Sequence, residues 1–145
     1  MLKCGISGQT YRLIKDSYAD TRYCIKTPFG LTNYFKSNSG VKQGCNLSPL
    51  LSNIYQNDLH DISDKDCDPV SLDGYEFNSL SWADDLTLIS LSHKGLQKAL
   101  DCLNTYCEKW DLEVNTEKSK CMVISRSYCN KVNFTFSDCD LELIH

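Results

Sequence analysis

Leu80-Ser81-Trp82-Ala83-Asp84-Asp85-Leu86-Thr87-Leu88 is the stretch that decides the fold. Residues 75–83 and 86–91 are apolar-rich runs, and only Asp84-Asp85 separates them. Two strand-length runs with a two-residue break predict an antiparallel hairpin closed by a primed turn. Such a turn needs positive φ, a region Asp tolerates better than most residues. Taken alone, Asp-Asp at a tip reads as turn chemistry. Its apolar flanks change the reading, because they predict a hairpin buried on at least one face. Adjacent carboxylates there repel each other, a cost that Asn-Gly would avoid. Hard divalent cations such as Mg²⁺ relieve the repulsion through oxygen ligands. The pair therefore has the chemistry of a two-metal anchor for phosphoryl or nucleotidyl transfer.

Helical patterns flank the hairpin. Leu96, Ala99, Leu100, Leu103, Tyr106, Cys107 and Trp110 share one face of a helix predicted over 96–110. Upstream, Leu51, Ile54, Tyr55, Leu59 and Ile62 make an apolar stripe over 46–62, with Asn46 as N-cap and Pro49 early in the helix. A hairpin is predicted over 22–35 around Thr27-Pro28-Phe29-Gly30, and a helix over 9–18 with Tyr11, Ile14 and Tyr18 in register. Short strands are predicted at 112–114, 121–125 and 132–136, and 141–144 starts a partner strand that the chain end cuts short. The class is α+β, an antiparallel sheet with helices packed on one face.

Composition bounds the rest. At 145 residues, 41% hydrophobic and 23% charged, the chain suits one soluble domain. No apolar run approaches the roughly 20 residues of a membrane helix, and no secretory signal opens the sequence. A net charge of −4 argues against a simple basic module living on phosphate contacts. Lys3, Arg12, Lys15, Arg22 and Lys26 read as scattered surface charge. The nine cysteines are irregularly spaced, without C-x-x-C, so zinc and disulfide frameworks are poorly supported and free thiols in an intracellular compartment are expected, nucleus or cytoplasm.

Two further segments complete the pattern: Gly40-Val41-Lys42-Gln43-Gly44-Cys45-Asn46-Leu47-Ser48-Pro49 and Val114-Asn115-Thr116-Glu117-Lys118-Ser119-Lys120. In this order with Trp82-Ala83-Asp84-Asp85 they resemble the palm of a reverse transcriptase, most closely that of non-LTR, LINE-type retrotransposons. Gly5-Ile6-Ser7-Gly8 resembles the family's linker before the first hairpin, and Gly95-Leu96-Gln97 the helix after the catalytic one. The resemblance implies roles one position at a time. Asp84 and Asp85 are the hairpin carboxylates, metal ligands for Mg²⁺ or Mn²⁺, with Asp84 the more direct. Gln43, Gly44, Ser48, Pro49, Trp82 and Ala83 line the nucleotide and primer site. Lys118 protonates the pyrophosphate leaving group or neutralises its charge. The implied partners are RNA template, DNA primer, dNTP and the rest of a retrotransposon polyprotein, with no membrane.

Departures from the pattern are Trp82, where the family usually has Tyr or Phe, and Ser52, where many relatives carry Phe. The resemblance also implies a further metal-binding aspartate on a strand ahead of Gly5. Asp16 and Asp20 do not match it, so 1–145 is expected to be a partial domain without that strand, most of the fingers or the thumb, and inactive in isolation. A non-catalytic interaction module and a maturase-type reverse transcriptase are the alternatives.

Overall fold

The structure is a computed structural model and describes residues 1–37, 39–59, 67–126 and 132–144. Its packing divides the chain into two compact units, Met1–Asn57 and Asp58–His145. No helix among the described residues is long and apolar enough to cross a membrane.

The first unit opens with a single 3-10 turn and then α1 (Gly8–Ala19). Tyr11, Ile14 and Tyr18 are its half-buried residues and the others are exposed, as the helical spacing predicts. A long hairpin follows in two pieces. Its base pairs β1 (Arg22–Tyr23) and, on the return, β4 (Phe35–Lys36); its tip pairs β2 (Lys26–Thr27) with β3 (Gly30–Leu31). Between base and tip the outgoing strand spends residues 24–25 and the return strand 32–34. The unequal count is that of a bulge, which explains why one continuous ladder does not form. The Ile25 carbonyl still accepts from the Thr32 amide at 3.0 Å.

Helix α2 (Ser48–Tyr55) is shorter than the 46–62 stripe suggests. It starts two residues later, with Leu47 rather than Asn46 at the N-cap, and Pro49 stands early in it, as expected. It stops because Gln56-Asn57-Asp58 are turn residues, and Asn and Asp compete with the helix for their own backbone. Ile62 lies outside the described residues.

The second unit begins with β5 (Val70–Leu72) and β6 (Tyr75–Phe77), joined around Asp73-Gly74 with φ of 51° and 83°. Asp-Gly with both φ positive is the I′ hairpin signature. The single strand expected over 75–83 is therefore two. Buried Asn78 divides them, its carbonyl accepting from the Ile89 amide at 2.7 Å. Next come β7 (Ser79–Trp82), β8 (Asp85–Leu88) and α3 (His93–Trp110), whose N-cap Ser92 hydroxyl accepts from the Gly95 amide at 3.0 Å.

Strands β9 (Lys120–Met122), β10 (Phe134–Phe136) and β11 (Cys139–Ile144) make a three-stranded sheet in the order β10-β11-β9. The partner strand expected at 141–144 pairs antiparallel with β10 and parallel with β9. Residues 112–114, expected as a strand, join no ladder. The core gathers Leu100, Leu103 and Cys107 from α3 with Cys121, Phe134, Phe136 and Leu141 from this sheet. The α+β class holds. The strands, however, are spread over small antiparallel pairs and one mixed sheet among the described residues, because most ladders are only two to four residues long.

Candidate active site

The β7–β8 hairpin carries the carboxylates. Its register pairs Ser79 with Leu88, Leu80 with Thr87, Ser81 with Leu86 and Trp82 with Asp85. The closing residues are thus Ala83 and Asp84, one position earlier than the Asp84-Asp85 loop expected. Asp85 is the first residue of β8. The positive φ falls on Ala83, at 54°, not on an aspartate. Burial of β8 sets this register. Leu86 and Leu88 pack against the core, and a slip of one residue would turn both outward.

Opposite residues on an antiparallel pair share a face. Leu80, Trp82, Asp85 and Thr87 accordingly point to solvent, with Trp82 84% exposed. The hairpin is half-buried, as its flanks predict, but through β8; the apolar residues of β7 lie on the open face. Asp84 and Asp85 are both exposed, and among the described residues neither enters a salt bridge.

Lys118 lies in the same unit, exposed on the turn at 116–118. Asn115 builds that turn. Its side-chain oxygen accepts from the Lys118 amide at 3.1 Å and its carbonyl accepts from the Ser119 amide at 3.0 Å. Lys120, two residues on, is engaged with Glu142. Asn115 carries no role in the sequence reading, although an Asx turn three residues ahead of a lysine is a legible signal.

Gln43, Gly44, Ser48 and Pro49 belong to the first unit, and their loop is anchored from both sides. The Lys42 ammonium donates to the Ser17 carbonyl near the end of α1 and sits 5.0 Å above the Tyr18 ring. The Ser48 hydroxyl is buried, donates to the Lys42 carbonyl and lies 3.4 Å from the Tyr18 hydroxyl. Ser48 is therefore tied into the loop's own support. Gly44 takes φ of 77°, with open space where a side chain would stand, so the exposed backbone beside Gln43 is approachable. Nothing in the sequence pattern marks Tyr18 and Lys42 as partners, because the contact spans 24 residues.

Two adjacent, exposed carboxylates fit a hard divalent cation, which takes one or two carboxylates and keeps much of its water. Among the described residues no group of three or more His, Cys, Asp or Glu gathers to complete a shell. A cleft of about 360 Å³ at the end of α3, bordered by Glu108, Asp111, Glu113 and Phe136, includes none of the residues named for the site.

An α+β chain with an exposed carboxylate pair at a hairpin tip has the make-up of a polymerase palm. It belongs to the family described as reverse transcriptase (RNA-dependent DNA polymerase), which matches residues 5–136, from the Gly5 linker through the Gln43 loop, the hairpin and the Lys118 turn. The family is one of nucleotidyltransferases that generally use divalent metal ions. The chain is also similar to a probable RNA-directed DNA polymerase from transposon BS of Drosophila melanogaster, with 27% identity over 117 residues. That alignment covers 75% of this chain and 12% of the relative, so the chain spans only a small part of that protein's length. No solved structure matches it.

Proposed function

We propose that residues 1–145 are part of the palm of an RNA-directed DNA polymerase from a non-LTR, LINE-type retrotransposon, working inside the cell as a section of a larger polyprotein. The observation that carries the reading is the β7–β8 hairpin, with Asp84 in its turn and Asp85 opening β8, both in solvent. Family membership and the transposon-borne relative support it over a bare interaction module.

The substrates are then an RNA template, a DNA primer and a dNTP. Asp84 and Asp85 hold the cation, Mg²⁺ or Mn²⁺; when bound, it supplies Lewis-acid stabilisation of charge on the phosphoryl oxygens. Trp82 offers a flat apolar surface beside Asp85, suited to the primer end. The Gln43-Gly44 backbone packs on the template–nucleotide pair, held in shape by Ser48, Pro49 and Lys42. Lys118 delivers a proton to the departing pyrophosphate or neutralises its charge.

The test has two arms. Mn²⁺ titrated into the ¹⁵N-labelled chain should broaden amide signals around Asp84 first, and Asp84→Asn should abolish this. A chimera with a related palm's aspartate-bearing strand fused ahead of Met1 should extend a primer on RNA, and should stop doing so in Asp84→Asn. Extension that survives Asp84→Asn, or broadening elsewhere with none at the hairpin, overturns the reading.

A further inference from the structure

The chain's charge is divided between its units. Residues 1–57 hold seven Lys and Arg against Asp16 and Asp20, a net of +5; residues 58–145 hold eight against seventeen, a net of −9. No acid occurs between Asp20 and Asp58. The overall −4 conceals a basic unit, so the chain's net charge does not exclude phosphate contacts by residues 1–57.

Within that unit the hairpin tip is unusual. Phe29 is fully exposed, and its neighbours Ile25 and Leu31 are exposed as well. The turn that carries Phe29 is built to hold still. Pro28 fixes its own φ, the Thr27 hydroxyl donates to the Gly30 carbonyl at 2.9 Å, and the same oxygen accepts from the Phe29 amide at 3.2 Å. An aromatic ring held out on a stiff turn loses little freedom on contact. Lys26 is exposed across the ladder from Leu31, one pair from the turn. At the other end of the hairpin Arg22 and Lys36 both bridge Asp20, at 2.8 and 3.0 Å, so Lys26 is the cation of the β2–β3 ladder.

We propose that the β2–β3 tip is a docking site for single-stranded nucleic acid, with Phe29 stacking on an unpaired base and Lys26 meeting an adjoining phosphate. Charge complementarity selects this occupant: a unit of net charge +5 attracts a polyanion, and an exposed aromatic beside an exposed lysine is the pairing that single strands use. The polymerase reading supplies the identity of the strand, an unpaired stretch of template; the surface chemistry stands on exposure and charge alone. Duplex ends offer fewer accessible base faces, so they bind the tip more weakly.

The test is fluorescence anisotropy of the 145-residue chain with a labelled single strand of about 12 nucleotides, within the range such sites span, and with the matching blunt duplex. Phe29→Ala should weaken single-strand binding about 5- to 100-fold. Lys26→Gln should flatten the dependence of log K on log salt by about 0.7. Both side chains are exposed, so circular dichroism should show both variants folded. Variants within twofold of the parent, equal binding of strand and duplex, or a dimer in sedimentation that Phe29→Ala dissolves without any strand binding would each overturn the site. Loss of the hairpin effect with Mn²⁺ still at Asp84 removes the docking site and leaves the polymerase reading. An intact hairpin effect without metal at Asp84 supports the docking site and removes that reading.

Discussion

Trp82 and Asp85 are partners across the β7–β8 ladder, the last pair before its turn. The indole and one carboxylate of the site therefore share a face, and Leu86 and Leu88 hold the other face against the core. Asp84 occupies the turn itself. The adjacent aspartates thus have different backbones, one in a loop and one in a strand.

The strain at Ala83 is testable. With φ of 54° it occupies a region that costs a residue with a side chain about 1–2 kcal/mol. Ala83→Val should lower stability in urea unfolding by about that much, since branching at Cβ worsens the conflict. Ala83→Gly should leave stability equal to or slightly above the parent, because relief of strain is offset by about 0.4–1 kcal/mol of added freedom in the unfolded chain. A Val variant as stable as the parent would refute the positive φ.

Gly95 is needed for space. A Cβ there would meet the Cys67 carbonyl at 2.7 Å and the Asp68 Cβ at 2.9 Å, besides the Ser90 hydroxyl. That hydroxyl already donates to the Cys67 carbonyl at 2.8 Å, and the Leu91 amide donates to the Asp68 carbonyl at 3.0 Å, so the neighbours are fixed. Gly95→Ala should cost about 1–3 kcal/mol despite the better helix propensity of alanine. Urea midpoints at unchanged slope measure it, and a stabilised variant would contradict the packing.

The thiols divide by burial. Burial pushes Cys107 and Cys121 above the ordinary thiol value of 9.0, because the thiolate is disfavoured inside the core. Iodoacetamide should label exposed Cys4 and Cys139 well before these two, read by peptide mass spectrometry. The folded state keeps its protons longer than the unfolded chain does, so stability should fall as pH rises past about 9. Cys107→Ala with Cys121→Ala should flatten that alkaline decline, whatever their effect at neutral pH.

The 145-residue polypeptide assayed alone should not extend a primer on RNA with Mg²⁺ or Mn²⁺. Two-metal transfer calls for carboxylates on both sides of the ions, and Asp84 and Asp85 provide the hairpin side. Extension by this polypeptide that disappears in Asp84→Ala would show that a further carboxylate of the chain completes the shell.

Much of this was legible in residue order. The stripe of α3, the half-buried Tyr11, Ile14 and Tyr18, and the hairpin around Pro28 all follow from periodicity and turn chemistry, which are local and survive in a linear string. The motif order around Gln43, Asp84 and Lys118 was sufficient to point to the family that matches residues 5–136.

Other features depend on residues distant in sequence. The turn falls at Ala83-Asp84 because Leu86 and Leu88 must reach a core built by α3 and the last sheet, and pattern alone leaves the register free by one residue. Ser48, which the resemblance places in the nucleotide and primer site, proves to be a buried hydroxyl at the start of α2, bound to the Lys42 carbonyl and beside Tyr18. The sequence by itself determined most of the element types, residues 112–114 excepted, with the motif order and the family, since these rest on local propensity and spacing. Tertiary structure decided which carboxylate enters the strand, which lysine holds the Gln43 loop and why position 95 must be glycine, since those depend on burial and contacts between segments that the chain separates.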